Sequence, residues 1–141
     1  MDESIVELRK ELLRTTLALE ERLAGLSEEE LKRPAVWNGL NRNVRFLMHR
    51  LTAHVSDHTL QLRKSRQAMG LPVTESQGIL GQFLVAEAGL VAETMGLSPA
   101  DFERGPAEGE WSAKEVLEHV VSSQKKALQT IEEALAAGEQ K

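Results

Sequence analysis

Apolar residues recur along this chain with helical spacing in four separate stretches. Ile5, Leu8, Leu12, Leu19, Leu23 and Leu26 stand three, four or seven positions apart, with Glu, Arg and Lys between them. That pattern predicts an amphipathic helix from about Ser4 to Gly25. Ser4 with Glu7 reads as a capping box at its start, and Gly25 as a stop. Val44, Leu47, Met48, Leu51, Val55 and Leu62 mark a second helix, capped by Asn41 or Asn43 and running to Met69, where Gly70, Leu71 and Pro72 end it. Thr74 with Gln77 opens a third, whose apolar set is Ile79, Leu80, Phe83, Leu84, Leu90, Val91 and Met95, as far as Gly96. The fourth runs from about Ser112 to Ala137, with Ser112 and Glu115 as another capping-box pair and Leu117, Val120, Val121, Leu128, Ile131 and Leu135 on one side.

The links between these helices differ in length. Gly70–Pro72 is a short connection, which predicts that the second and third helices pack as antiparallel neighbours. The other two links are about fifteen residues each, and both begin Leu-Ser (Leu26-Ser27 and Leu97-Ser98), continue with an acidic helical turn, reach a Pro and deliver a His-bearing helix. At an offset of seventy residues Phe46, Leu47 and His49 fall on Val116, Leu117 and His119. The chain therefore reads as two copies of helix, crossover, helix, in halves of about 1–70 and 71–141. The expected fold is all-α, a single-domain four-helix bundle with two long crossovers and an internal pseudo-twofold repeat.

Composition narrows the chemistry. A length of 141 residues gives room for one core. Lys and Arg number 17 against 22 Asp and Glu, a net charge of −5, so there is no basic field to neutralise a run of phosphates and nucleic acid is not an expected partner. The absence of cysteine removes disulfides, thiolate metal sites and a cysteine nucleophile, so any thiol chemistry needs a thiol brought by a cosubstrate. The N-terminal stretch MDESIVELRKELL begins acidic without an apolar segment of signal-peptide length, and no window approaches the roughly 18 uninterrupted apolar residues of a membrane span. A soluble cytoplasmic protein is expected.

Two stretches carry more than the leucine pattern. In the second helix His54 and His58 stand one turn apart and Gln61 follows them, so two imidazoles share a face at the spacing of a chelate. At the start of the fourth helix the sequence is Trp111-Ser112, then Glu115, then His119. The patterns His-x-x-x-His-x-x-Gln and Trp-Ser-x-x-Glu-x-x-x-His resemble the two signature helices of the DinB/YfiT-like family of four-helix-bundle metalloproteins. The resemblance implies that His54, His58 and His119 bind a divalent ion, zinc or nickel. It also implies a metal-dependent S-transferase or hydrolase acting on a small molecule, with a low-molecular-weight thiol or a water as the activated group, and homodimerisation. Two departures stand out. The family places the Trp-Ser helix second and the His-x-x-x-His helix fourth, the reverse of this chain, although exchanging pseudo-symmetric halves preserves a bundle. Thr59-Leu60 also occupies the place where Arg-Gly commonly sits.

Plainer readings stand beside these. His58 lies in the middle of the Leu51, Val55, Leu62 stripe, where a histidine is most often a hydrogen-bonded core residue, and His54 lies at its edge. His119 lies roughly opposite the Leu117, Val121, Leu128 stripe and by pattern alone is a surface residue. His49 has no chelating partner and reads as structural or exposed. Glu115, one turn before His119, is the candidate catalytic group, able to orient a ligand imidazole or accept a proton; its capping position explains it equally well, and Asp57 is analogous. Trp37 and Trp111 read as plugs at helix ends. The alternative function is a non-catalytic bundle without metal that dimerises or binds a small ligand.

Overall fold

Asp2, not Ser4, begins the first helix. In the computed structural model, which describes residues 2–138, the Asp2 carboxylate accepts the backbone N–H of Ser4 at 3.0 Å and also the Ser4 hydroxyl, so Ser4 is used inside the first turn. An acidic cap at this end complements the positive end of the helix dipole, which is why Asp displaces the serine. Helix α1 then runs over Glu3–Leu23.

The first crossover carries the expected helical turn and a second element that the apolar pattern does not predict. Ser27 and Glu30 form a full capping box at the head of α2 (Glu28–Lys32). After it, β1 (Pro34–Trp37) and β2 (Leu40–Asn43) pair antiparallel, with Pro34 opposite Asn43 and Trp37 opposite Leu40. The turn residues Asn38 and Gly39 have φ of 50° and 76°, the left-handed pair that a tight hairpin needs to match strand twist. The dipeptide Asn-Gly is its signal in the sequence. Val44 N–H donates to the Arg33 carbonyl at 3.1 Å, so the hairpin runs directly into α3 (Val44–Ala68).

Asn43 caps α3, its side chain accepting the Phe46 N–H at 2.9 Å, and Arg42 lies over the Phe46 ring 5.0 Å from its centroid. Arg45 reaches Glu28 at 3.4 Å, tying α2 to the start of α3. At the far end Leu71 N–H returns to the Arg66 carbonyl, and the Arg66 guanidinium bonds the Pro72 carbonyl (3.1 Å) and the Gln77 amide (3.3 Å). Thr74 and Gln77 exchange backbone and side-chain bonds at the head of α4 (Glu75–Ala92), as their spacing predicts. Beyond this corner α3 and residues 75–89 of α4 do not pack along their lengths, contrary to the expected antiparallel pair. Ile79, Leu80, Phe83 and Leu84 share one side of α4, but Val85 and Ala88 with Gly78 and Gly81 leave the opposite side non-polar as well, so its sequence selects no single partner face.

The chain divides into two units, residues 1–89 and 90–141, with the division inside α4. In the second unit Ser98 caps α5 (Pro99–Glu103), which packs on the start of α6 (Ala113–Gly138) and is tied to it by Lys114 and Glu103 at 2.9 Å. Gly105 is required in the loop between them, because a Cβ there would collide with the Glu110 carbonyl oxygen. The four predicted long helices thus correspond to α1, α3, α4 and α6. Among the described residues the architecture is mostly helical, six helices with one two-stranded sheet, and no helix is long and apolar enough to cross a membrane.

Apolar stripes along the long helices remain open. Leu8 is 73% exposed, Leu62 68% and Leu135 65%, and among the described residues no apolar side chain is buried.

Opposite effects are expected at two glycines. Gly39→Ala places a side chain at φ 76° and lowers stability by about 1 kcal/mol. Gly81→Ala, inside α4 where an added Cβ meets nothing within 4 Å, raises it by roughly 0.5–1 kcal/mol. Urea midpoints of the two variants against wild type check both signs.

Candidate functional site

The α-helical repeat of α3 sets a row of polar side chains on one face: Arg50, His54, Asp57, His58 and Gln61. The rings of His54 and His58 are 4.4 Å apart, centroid to centroid, and meet edge to face. The two sequence-predicted ligands of this helix are therefore neighbours, and both are exposed.

Their hydrogen bonds differ in kind. His58 Nδ1 is 2.7 Å from the Gln61 side-chain oxygen, so the ring donates from Nδ1 and keeps the lone pair on Nε2. His54 Nδ1 lies 3.5 Å from an Arg50 Nη atom. A guanidinium has only donors, so His54 accepts at Nδ1 and carries its proton on Nε2. Arg50 also reaches Asp57 at 3.5 Å, a long and solvated pair. Gln61 accordingly does what a supporting partner of a metal-binding imidazole does, whereas the long Arg50 contact only favours the other tautomer of His54. Arg50 is absent from the sequence-predicted set. Its position four residues before His54 and seven before Asp57 is the signal that the sequence offers for it.

Beside His54 the same helix lines a cavity of about 310 Å3. Trp37 of the hairpin, Leu47, Met48 and Leu51 make apolar wall, Leu23 contributes from the end of α1, and Arg50 and His54 are its polar lining. Trp37, read from sequence as a plug at a helix end, is thus part of a cavity wall.

His119 lies in the second unit, on α6, where its ring packs at 4.8 Å on Trp111 with a tilt of 58°. The Trp-Ser-x-x-Glu-x-x-x-His pattern is a local structure. Ser112, 3% exposed, donates its N–H to Glu115 at 2.8 Å and its hydroxyl to the same oxygen at 2.9 Å, while Glu115 N–H donates back to the Ser112 hydroxyl at 3.2 Å. This reciprocal cap fixes how the chain joins the helix and lays Trp111 back over His119. The Ser112 N–H and hydroxyl hold the Glu115 carboxyl below its usual range, so it is a weak base engaged in the cap. His49 is exposed, as expected. Among the described residues no three His, Cys, Asp or Glu side chains are gathered in a group able to hold a metal ion. The chain matches no protein-family model, no curated protein and no solved structure.

The cap has a measurable energy and a pH signature. Ser112→Ala is expected to cost about 1 kcal/mol of stability. Folding lowers the Glu115 pKa, so its carboxylate favours the folded state above the ordinary glutamate range, and that contribution disappears as pH falls through the lowered value. The stability gap between wild type and Glu115→Ala, followed by urea denaturation from neutral to acid pH, is expected to close on acidification.

Proposed function

We propose that this chain is a DinB-like four-helix-bundle metal-binding protein that holds zinc or nickel through His54, His58 and His119. The supporting observation is the His54–His58 pair, two imidazoles 4.4 Å apart on one helix face, with His58 turned by Gln61 so that Nε2 keeps its lone pair. His119 enters as third ligand by the resemblance of the Trp-Ser helix. The donor set suits the group: imidazoles without thiolates accept zinc, nickel and other first-row ions and leave coordination positions open. An ion held there supplies Lewis acidity to a small substrate, a water or an exogenous thiol, the basis of a metal-dependent S-transferase or hydrolase. The chain's own part is to present two ligands on a rigid helix and to fix the His58 tautomer.

Elemental analysis of untagged protein tests this reading. Near-stoichiometric zinc or nickel is expected in wild type, lost in His58→Ala, with affinity reduced about 10-fold or more in Gln61→Leu. Zinc at about 100 times its Kd is expected to add about 2.7 kcal/mol of stability, reversed by chelator. Wild type that stays metal-free after incubation with both ions overturns the proposal.

A further inference from the structure

We infer that α3 and the hairpin before it form a docking face for an anionic lipid surface, with the helix lying flat in the interface. Between Lys32 and Arg66 eight Lys and Arg stand against one acid, Asp57, a net charge of +7, while the rest of the chain has 9 against 21, a net −12. The total of −5 hides this segregation. Ion pairs do not consume it. Lys32 with Glu29, Arg45 with Glu28 and Arg50 with Asp57 are pairs between exposed groups, and among the described residues Arg33, Arg42, Arg63, Lys64 and Arg66 make no ion pair. No helix is long and apolar enough to cross a membrane, so the association is peripheral.

Positive charge and open apolar surface adjoin here. Leu51, Val55 and Leu62 form one stripe, 42%, 63% and 68% exposed. Helical spacing puts Arg66 beside it, Arg45 and Arg63 about 100° round on one side, and Arg50 about 120° round on the other. In the hairpin, strand register sets Trp37, Leu40 and Arg42 on one face. The cavity of about 310 Å3 lined by Trp37, Leu47 and Leu51 joins that face to the helix stripe. The stripes of α1 and α6 are open too, but they carry four bases to five acids and three to four, against five to one on α3. A polyphosphate would take the charge of α3 and leave its leucines in water. A lipid surface takes both, acyl chains meeting Leu51, Val55 and Leu62 and headgroup phosphates meeting the arginines, whose stems lie along the boundary. Trp37, half exposed, is the residue type that anchors at headgroup depth. Charges farther than about 8 Å are screened at physiological salt, so the local charge and not the total sets the attraction.

Vesicle sedimentation tests this on the full-length protein carrying Trp111→Phe, which leaves Trp37 as its one indole. Chelator is present throughout, so the outcome is separate from metal binding. With phosphatidylcholine vesicles containing about 30% phosphatidylserine at about 0.1 M salt, half of the protein is expected to sediment at roughly 0.1–1 mM lipid, with Trp37 emission shifted to the blue. Phosphatidylcholine alone is expected to bind at least about 10-fold more weakly. Arg42→Gln with Arg63→Gln is expected to weaken binding about 25-fold, whereas Lys64→Gln, about 160° from the stripe, changes it by less than about 2-fold. Val55→Ser with Leu62→Ser is expected to weaken it about 10-fold or more. Circular dichroism of each variant verifies that the helices remain. Absence of binding to the anionic vesicles overturns the inference, as does equal binding to phosphatidylcholine alone. A Lys64→Gln loss as large as that of the Arg42 and Arg63 pair overturns it as well, because charge would then act without orientation. So does vesicle binding that leaves Trp37 emission unshifted, with duplex DNA bound as tightly, because the partner would then be a polyanion and not an interface.

Discussion

Every helix start described in this chain depends on a polar side chain that accepts backbone N–H groups the helix itself cannot satisfy. Asp2, Ser27, Asn43, Thr74, Ser98 and Ser112 each accept a backbone N–H of the turn that follows. Three of them are answered by Glu30, Gln77 and Glu115, which bond back to the capping residue's own N–H. These bonds are local, joining residues two or three apart in the chain. They also set helix phase: a start at Asn43 decides which face carries Arg50, His54 and His58, and a start at Ser112 decides that Trp111 folds back over His119.

That dependence explains what the sequence reveals and where it is silent. Caps are written in residue type and spacing, and Thr74–Gln77 and Ser112–Glu115 are legible as pairs. At Ser4 the type and spacing are equally good, but the earlier carboxylate of Asp2 competes for the same N–H and also takes the Ser4 hydroxyl. The hairpin escapes the hydrophobic pattern because four-residue strands carry too little alternation to register against long helical stripes. Its mark is turn chemistry, Asn38-Gly39, not hydrophobic period. Of the site, the His54–His58 adjacency follows from helical spacing alone. Their opposite tautomers do not, since they depend on which neighbour each ring finds, Arg50 or Gln61.

Packing is a different matter from local structure. Helix ends fixed by caps contribute on the order of 1 kcal/mol each, too little to hold long helices in water. Burial of apolar area is the stronger driving force, and Leu8, Leu12, Leu62 and Leu135 stand open along α1, α3 and α6. Stripes this long are a demand for cover. A stripe tells a helix which face to bury without telling it against what, and α4, apolar on several sides, does not even choose a face. The expectation that α3 and α4 lie antiparallel rests on link length, which limits where the next helix begins and says nothing about where it leads.

His54 is where these two kinds of information meet. Its ring has one proton to place when neutral. With Arg50 as neighbour the proton belongs on Nε2, and the residue is a donor beside an apolar cavity; for metal ligation through Nε2 it belongs on Nδ1, and the Arg50 contact has to give way. An ion on the Nε2 atom of His54 therefore requires the proton to move to Nδ1 and the Arg50 contact to be released. Gln61 biases His58 toward the second state and Arg50 biases His54 toward the first. At 3.5 Å the Arg50 contact is long, whereas the Gln61 contact at 2.7 Å is short, so His58 is held firmly and His54 is the ring that can change. The proton on His54 is thus the element that distinguishes a ring facing Arg50 from one able to ligate through Nε2.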